Sequence, residues 1–414
     1  MSPTRRTALV AAVVAVAGLV LPLGLAGLLL VALAGGLIAD VLAVRRAPEV
    51  RRAAPRTMAR AVPAALQLTQ PVVQAGSSRL RQPLPPDVEL EPSEGDERLD
   101  GTLVARRRGR HTLARPAVRR TGPLGLGRRD FRVLEDAELL VYPDLPSARR
   151  LATSIRRGRF REEGRRTRGQ LGLGTEFDSI RDYQPDDDIR RVNWAATARV
   201  GRPMTNQYRI EQDRDVVCVV DSGRLMGAPL HGGTRLDVAL DAVASIAAVA
   251  DELGDRVGLV AFDREVRRHL RPRRRGARDV VQAIFDLEPT TGQSDYALAF
   301  HRISGTKRAF VLVLTDLLEE SAAQPLRDAM PILSRRHHVV VASASDPELE
   351  LAAAASGTAL EVFRSVAVAE MVAARERAAS ALRHAGAVVV EAEPARLGPA
   401  CVHAYLRAKA RARL

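Results

Sequence analysis

The sequence is poor in aromatic residues, lysine and cysteine. Aromatic residues make up 3% of the 414 positions, with a single tryptophan, and only Lys307 and Lys409 are lysines. So few aromatic rings exclude a base-stacking platform for single-stranded nucleic acid. The core must therefore rest on Val, Leu and Ala. Two cysteines, Cys218 and Cys401, are too few for a disulfide framework or a cysteine-rich zinc site, which is typical of a reducing compartment.

Arginine supplies nearly all of the positive charge. Lys and Arg number 63 against 49 acidic residues, which gives a net charge of +14 at pH 7. Such a charge permits contact with nucleic acid or with an anionic membrane. The arginines are spread along the chain, however, and we predict no nucleic-acid partner. The length allows two or three domains, and 46% hydrophobic residues allow a sizeable core.

The first segment is strongly apolar. Residues 7–44 contain one charged residue, Asp40, whereas about 20 apolar residues cross a bilayer once. The stretch LPLGLAG interrupts this run, and arginines flank both ends. We predict a transmembrane hairpin over residues 1–46, with short helices at about 7–21 and 24–44. The positive-inside rule then predicts a multi-pass protein of the cytoplasmic (inner) membrane, in contact with lipid, whose soluble domains face the cytoplasm. A signal peptide and a single exporting span are the alternatives.

Residues 47–150 are rich in proline and glycine and contain short runs of alternating polarity. Short strands separated by turns predict a small β-sandwich-like domain. The densest basic cluster of the chain, RRRGR, lies at residues 106–110. It has two interpretations: contact with lipid head groups near the membrane, and a solvated strand edge whose charge opposes aggregation. We prefer the second.

After residue 213 strands alternate with helices. VVCVVD, residues 216–221, is a continuous apolar run, typical of a strand buried on both faces, with Cys218 as a small core residue. Apolar residues share one face of the helix predicted over residues 235–254. The alternation predicts a mostly parallel sheet with helices on both faces over residues 213–414. Further strands are predicted at 256–263, 307–317, 337–344 and 387–392, and further helices at 277–289, 295–303, 322–336, 367–385 and 395–413.

Asp221, Ser294 and Asp316 fall at strand ends, where open α/β sheets bind their ligands. This arrangement resembles the von Willebrand factor A fold, a Rossmann-like α/β fold, and its metal-ion-dependent adhesion site. That site reads Asp-x-Ser-x-Ser in its first loop and adds a Thr and an Asp from two other loops to hold Mg²⁺. Here Gly223 and Leu225 replace both serines, and Ser294 takes the Thr position. The resemblance therefore implies a degenerate site, and we expect no cofactor. Two interpretations of these residues remain: residual Mg²⁺ binding, and aspartates that cap helices or turns.

A dense polar block, TEFDSIRDYQPDDDIRRVNWAATAR, spans residues 175–199 within a segment of residues 151–212 that links the two domains. It has no His, no Cys and no Gly-rich phosphate loop, which argues against catalysis. Pro185 and the three aspartates after it predict a helix start, with Ile189, Val192 and Ala196 on one helix face. The block has three interpretations, in falling order of preference: a structural clasp, a docking surface for a partner, and a catalytic site.

The block resembles the signature of the family called domain of unknown function 58. Asp186 replaces the usual Gly of that signature, while RGRHTL and TGPLGLGRR (residues 121–129) match weaker family features. The order of segments agrees over nearly the whole chain. The resemblance implies a membrane-anchored, non-enzymatic adaptor that works with a MoxR-type AAA+ ATPase in cell-envelope or complex assembly. The signature residues expected to bind the partner are Glu176, Phe177, Arg181, Tyr183, Asp187, Asp188, Arg190, Trp194 and Arg199. The alternative is a metal-dependent enzyme or metal-gated adhesin that uses Asp221, Ser294 and Asp316.

Overall fold

The computed structural model describes all residues except 1, 20–21, 73–74, 158–175, 185–186, 210–212, 231–232, 306, 318–319, 354–358 and 411–414. For residues 23, 176–178, 207–209, 304, 320–323, 350–351, 353 and 359–361 it describes the backbone alone. The chain divides into two compact units, Met1–Tyr142 and Pro143–Leu414. The boundary predicted at residue 150 lies inside the first helix of the second unit.

Two helices, α1 (Arg5–Ala17) and α2 (Leu23–Ala43), open the first unit. Thr4 begins α1 with a capping box that it shares with Thr7, and Pro22 precedes α2. Helix α1 has 13 residues and ends earlier than predicted, because Gly18 and Pro22 interrupt the apolar run. Among the described residues only Gly24–Ala43 is long and apolar enough to cross a membrane, with a mean hydropathy of 2.3. An N-terminal helix of this kind suits a membrane anchor or a signal sequence.

Short strands make up the rest of the first unit, as the turn-rich sequence predicts. Three sheets form, with strand orders β1-β11-β10-β5-β7, β2-β4-β8-β6 and β3-β12-β9. Polarity alternates along the strands, so that Leu66 and Leu68 are fully buried while their neighbours are more exposed. The strands are β1 (Ser2–Pro3), β2 (Arg51–Ala53), β3 (Thr57–Ala59), β4 (Ala64–Thr69), β5 (Ser77–Arg81), β6 (Val88–Glu91), β7 (Glu94–Asp96), β8 (Arg98–Ala105), β9 (Gly109–Leu113), β10 (Ala117–Thr121), β11 (Gly127–Arg132) and β12 (Ala137–Tyr142).

The basic cluster at residues 106–110 follows β8 and enters β9. Its side chains face acids of the same unit: Arg106 lies 2.8 Å from Glu89, and Arg110 lies 3.0 Å from Glu138. Arg108 is buried. Exposed pairs of this kind contribute little to stability, but they compensate charge locally, which fits a strand edge better than a lipid site.

The second unit contains a six-stranded sheet of order β19-β18-β15-β20-β21-β22. All neighbouring strands are parallel except β18 and β19. The mixed α/β class is thus confirmed. The elements are α3 (Leu145–Arg156), β13 (Glu176–Asp182), α4 (Trp194–Val200), β14 (Met204–Arg209), β15 (Asp215–Asp221), β16 (Pro229–Leu230), β17 (Gly233–Thr234), α5 (Arg235–Glu252), β18 (Arg256–Phe262), β19 (Val266–Arg274), α6 (Ala277–Ile284), α7 (Tyr296–Ser304), β20 (Ala309–Leu314), α8 (Glu320–Ser334), β21 (His338–Ala344), α9 (Pro347–Ala353), α10 (Ala359–His384), β22 (Val388–Ala392) and α11 (Pro394–Ala410).

Strand β15 is buried along its whole length, as its apolar run predicts. Successive residues point to opposite faces: Val216 and Cys218 pack with α5 and α11, whereas Val217 packs with α7 and α8. Burial raises the pKa of the Cys218 thiol to about 12, so that it is a neutral core group. The prediction of helices on both faces is therefore confirmed.

The chain order fixes where a ligand site should lie. From β15 the chain passes to β18 and β19 on one side, and then to β20, β21 and β22 on the other. The carboxyl ends of β15 and β20 are therefore the topological switch point of the sheet, where open α/β folds form their ligand crevice.

Candidate functional site

Asp221 is the last residue of β15 and lies at the switch point with its carboxylate buried. One oxygen, Oδ1, accepts hydrogen bonds from the Gly223 amide at 2.8 Å and from the Ser294 hydroxyl. The other oxygen accepts from the Tyr296 hydroxyl at 2.8 Å and the Thr315 hydroxyl at 2.7 Å. A carboxylate has about four acceptor positions, so groups of the protein itself satisfy this one completely.

Gly223 and Tyr296 make this arrangement possible. A Cβ atom at Gly223 would overlap the Oγ of Ser294, so the glycine that departs from the metal-site pattern lets Ser294 reach Asp221. Tyr296 begins α7 and packs edge-on against Phe262, with ring centroids 5.4 Å apart. Burial, and then the Asp221 carboxylate, raises the pKa of Tyr296 well above its ordinary value. The phenol therefore stays a protonated donor.

Asp316 follows β20 and contacts a cation of the chain. Nη1 of Arg235 lies 3.3 Å from the Asp316 carboxylate and donates at 3.1 Å to the Ala344 carbonyl. Both side chains of the pair are 5% or less exposed. Arg235 reaches this position because a reciprocal capping box between Thr234 and Asp237 begins α5 there.

These residues do not fit a divalent metal ion. The structure brings Asp221 and Ser294 together, as predicted. Hydroxyl donors, however, occupy acceptor positions of the Asp221 carboxylate that a metal ion would need. Asp316 faces the guanidinium of Arg235, whose positive charge would repel Mg²⁺. Within the described part of the chain, no cluster of three or more His, Cys, Asp or Glu side chains could hold a metal. The alternative of a turn cap fits Asp221, which accepts from the amide two residues on. Asp316 instead forms a buried ion pair.

Three residues of this site were not predicted from the sequence: Arg235, Tyr296 and Thr315. Thr315 directly precedes Asp316 at the predicted strand end, and Tyr296 follows Ser294 by two residues, so position along the chain was an available signal for both. Arg235 carried no such signal, since a basic residue at a helix start is ordinarily exposed.

The described residues of the polar block, 176–184 and 187–199, form a second candidate site. Strands β13 and β14 pair as an antiparallel ribbon, with a 3-10 turn at Ile189–Arg191 and helix α4 between them. Pro185 and Asp186, where the helix was predicted to start, lie outside the described residues. After them a 3-10 turn forms, and α4 begins only at Trp194, where Asn193 accepts from the Ala196 amide at 2.9 Å. Asp188 caps only the 3-10 turn. The three apolar residues predicted on one helix face do not share a helix, since Ile189 lies in the 3-10 turn and Ala196 in α4, and Ile189 is 68% exposed.

An ion pair closes this block on itself. Two nitrogens of Arg181 donate to the two carboxylate oxygens of Asp187, at 2.8 and 2.6 Å. The Gln184 amide also donates to this carboxylate at 2.8 Å, and the Tyr183 hydroxyl donates to the Asp187 carbonyl at 3.1 Å. The Arg181 guanidinium, and then the Gln184 amide, lowers the pKa of Asp187 below its ordinary value. Three of the nine predicted signature residues thus hold the turn together.

Other signature residues face outward. Trp194 is 70% exposed, and Asp188, Arg190 and Arg199 are exposed as well. Glu176 and Phe177 lie at the start of β13, where the backbone alone is described, and residues 175, 185 and 186 of the block lie outside the described residues. The block therefore has an inner network and an outer surface, which we call the Trp194 surface: Asp188, Ile189, Arg190, Trp194 and Arg199.

Comparison with known proteins identifies relatives of this chain. Residues 179–387, about half of the chain, match the family described as "Protein of unknown function DUF58". The chain is also similar to uncharacterized protein Rv1480 of Mycobacterium tuberculosis and to uncharacterized protein Mb1516 of Mycobacterium bovis. Each is 30% identical over 187 residues, which cover 42% of this chain and 56% of the relative. The similarity thus spans little more than half the length of these relatives.

Proposed function

The chain belongs to the family described as "Protein of unknown function DUF58", and we propose that it is a membrane-anchored adaptor that binds a protein partner through the Trp194 surface. The family resemblance implies a MoxR-type AAA+ ATPase as that partner. A role in cell-envelope or complex assembly is part of the same proposal.

The exposure of Trp194 carries this proposal. It is the only tryptophan of the chain, it is 70% exposed, and Ile189 in the preceding turn is 68% exposed. Tryptophan and arginine are the residue types that dominate binding energy at protein interfaces, and Arg190 and Arg199 belong to the same surface. The Arg181–Asp187 pair ties Asp187 to strand β13 before binding, and such preorganisation reduces the entropy lost on association.

The switch point of the sheet supports an adaptor rather than an enzyme. Catalysis there would need a free nucleophile, a base with a tuned pKa or an open metal position. Instead, Asp221 accepts four hydrogen bonds from the protein, and Asp316 lies against Arg235. In this proposal the second unit has a von Willebrand factor A-like fold whose former ligand site has become part of the core.

The apolar helices supply the anchor. We place α1 and α2 in the cytoplasmic membrane as a hairpin with both ends in the cytoplasm, since arginines flank the pair on both sides. The 13 residues of α1 rise about 20 Å, whereas the hydrocarbon core is roughly 30 Å thick. A two-span hairpin therefore requires local thinning of the bilayer around α1.

Affinity capture with a matched pair of variants tests the proposal. Tagged full-length protein is crosslinked in its own membranes with ATP present, and the captured proteins are identified by mass spectrometry. We expect the wild type to capture a MoxR-type ATPase. Trp194→Ala should reduce the yield at least about tenfold, as for an interface hot spot, whereas Phe363→Ala, at an aromatic residue that is 74% exposed on α10, should not. Absence of the ATPase from the wild-type catch, or an equal yield from Trp194→Ala, would overturn the proposal.

Calorimetry addresses the alternative of a metal-dependent function. We expect no saturable heat when Mg²⁺ or Mn²⁺ is added to the full-length protein in detergent. A saturable heat that Asp221→Ala abolishes would restore the metal site and would reject the closed site described above.

A further inference from the structure

The loop at residues 122–127 of the first unit contacts the end of α2. The carboxylate of Asp40, which is fully buried, accepts hydrogen bonds from the amides of Leu124 at 2.9 Å, Leu126 at 2.6 Å and Gly127 at 3.0 Å. A Cβ atom at Gly122 would overlap the Asp40 side chain, so the loop needs glycine there to approach the helix. These contacts explain why the one charged residue of the apolar segment is tolerated.

The same loop, residues 122–127, also contacts the start of α1. The Thr4 hydroxyl donates to the Gly125 carbonyl at 2.6 Å, and the Thr7 hydroxyl donates to the Leu126 carbonyl. The Thr4 amide donates to the Leu126 carbonyl at 3.0 Å. The loop therefore contacts both the first turn of α1 and the last turn of α2, so these two turns lie at the same height along the helix pair.

The tip of the loop lies beside the apolar part of α2. The Cδ1 atoms of Leu124 and Leu126 lie 3.3 and 3.2 Å from the position of a Cβ atom at Gly36. Gly36 precedes Asp40 by one helical turn, about 6 Å further into the apolar helix. Leu124 is nevertheless 56% exposed, and Pro123 is exposed too. The apolar tip of the loop is thus held against α2, one turn further into the apolar helix than Asp40, and more than half of the Leu124 side chain stays exposed.

Basic residues surround the helix ends at this level. The side chains of Arg5, Arg6, Arg45 and Arg46 are exposed, and Arg6 approaches the loop at Gly125. Strand β11 contacts the backbone just after α2, where Arg129 donates to the Arg45 carbonyl at 2.8 Å. The guanidinium groups of Arg45 and Arg46 are not needed for that contact, so they are available to the surroundings.

We propose that the 122–127 loop is a membrane wedge. Pro123 and Leu124 insert at the boundary between head groups and acyl chains of the leaflet at which α1 starts and α2 ends, and the exposed arginines at residues 5, 6, 45 and 46 contact phosphates of anionic phospholipids. This inference rests on the proposed membrane anchor. It adds a second attachment that fixes the height of the β-sheets above the bilayer.

Quenching of a single tryptophan by brominated lipid tests the wedge. The full-length chain with Trp194→Phe receives Leu124→Trp, or as a matched control Leu134→Trp, and is reconstituted into vesicles that contain phosphatidylglycerol and phosphatidylcholine brominated near the glycerol backbone. Leu134 is also an exposed leucine, 41% accessible, but it lies past the far end of β11. We expect strong quenching and a blue-shifted spectrum for Leu124→Trp and neither for Leu134→Trp.

Flotation on a density gradient separates the two ways of failing. If the chain floats with the vesicles but Leu124→Trp is not quenched, the wedge is rejected and the anchor stands. If the chain does not float, the anchor is rejected and the wedge with it.

The arginines are tested by lipid preference. Energy transfer from the tryptophan of Leu124→Trp to labelled phosphatidylglycerol or phosphatidylcholine gives the local enrichment of the anionic lipid. Changing Arg45 and Arg46 to Gln should lower the enrichment by about fivefold for each arginine removed. The same changes at Arg106 and Arg107, which lie near Glu89 and Asp87, should leave it unchanged. Equal enrichment in all three proteins would reject the phosphate contacts.

Discussion

Nη1 of Arg235 lies 3.3 Å from the carboxylate of Asp316 in the interior of the second unit, at the carboxyl ends of the parallel strands, where open α/β sheets form their ligand crevice. A buried ion pair is a weak source of net stability, because both ions lose their hydration, but removal of one partner leaves an uncompensated charge. Arg235 also donates to the carbonyl of Ala344, the last residue of the neighbouring strand β21. Arg235 therefore links the start of α5 to the ends of two neighbouring strands, β20 and β21.

We expect Arg235→Met to lower the free energy of unfolding by about 3–5 kcal/mol, since Asp316 would stay buried without this cation. The double variant Arg235→Met/Asp316→Leu should recover most of this loss, because apolar replacements of a buried pair are often neutral. Denaturant unfolding of the full-length protein in detergent, followed by circular dichroism, gives both values. A double variant as unstable as the single one would show that the arginine acts through packing rather than through charge.

Gly223 should tolerate no side chain. In Gly223→Ala the new methyl group would overlap Ser294, and the displaced hydroxyl would leave Asp221 with one donor fewer. We expect a loss of about 1–3 kcal/mol, typical of overpacking in a core. Gly227→Ala is the control, since a Cβ atom there would meet Pro289 at an ordinary 3.4 Å. If the two variants unfolded at the same denaturant concentration, close packing at Gly223 would not be the reason for the glycine.

Periodicity predicted the centre of the second unit well because strands β15, β18, β20 and β21 are apolar over nearly their whole length. Strand β19 was missed, since five arginines in the sequence VRRHLRPRR hide its pairing with β18. This edge strand is recognised by its position in the sheet rather than by its composition. Helix α3 was missed as well, because its buried residues Ala152 and Ile155 pack on α5, a contact far away in sequence.

The candidate site was predicted only in part. Asp221 and Ser294 meet as expected, since chain order alone places both at the switch point. Arg235 and Tyr296 are the first residues of α5 and α7. Whether their side chains reach the site depends on the direction in which each helix begins, and the local sequence does not determine that direction. In the polar block, the aspartates after Pro185 match the pattern of a helix start. Asp187 nevertheless caps no helix, because its carboxylate accepts from Arg181.

The Arg181–Asp187 pair should make the β13–β14 ribbon sensitive to acid. Hydrogen bonds from Arg181 lower the pKa of Asp187 below its ordinary value of 3.8 in the folded chain. The folded state thus gains stability from this pair above pH 3.8 and loses it as the pH falls below that value. Hydrogen exchange of the ribbon amides, corrected for intrinsic rates, should accelerate in acid and also in Arg181→Lys at pH 7, because lysine cannot form the two-pronged contact.

Arg202→Lys serves as the control for that experiment. Arg202 lies 3.1 Å from Asp182, but both side chains are more than 60% exposed, so its loss should leave exchange nearly unchanged. Equal acceleration in the two lysine variants would mean that the ribbon responds to any loss of surface charge and not to the Arg181 pair.

His337 should make the stability of the second unit depend on pH near neutrality. The ring is 5% exposed, and neither nitrogen has a hydrogen-bond partner among the described residues. Burial, and then the nearby Arg336 charge, lowers the pKa of His337 below its ordinary value of 6.5, although Asp215 acts in the opposite direction. The unfolded chain therefore binds a proton near pH 6.5 that the folded chain does not bind until the pH is lower. The contribution of the neutral ring is complete above pH 6.5 and decreases as the pH falls through that value.

His337→Gln removes this proton linkage, so its stability should fall less steeply with acid than that of the wild type. One proton corresponds to at most about 1.4 kcal/mol per pH unit. Unfolding free energies of the full-length protein at pH 7.5, 6.5 and 5.5 give the two slopes, and comparison of slopes avoids the cost of the substitution itself. His384→Gln, at an exposed histidine at the end of α10, should keep the wild-type slope. If His337→Gln also kept it, the acid sensitivity of the protein would have to arise from carboxylates, and the buried imidazole would be a packing group alone.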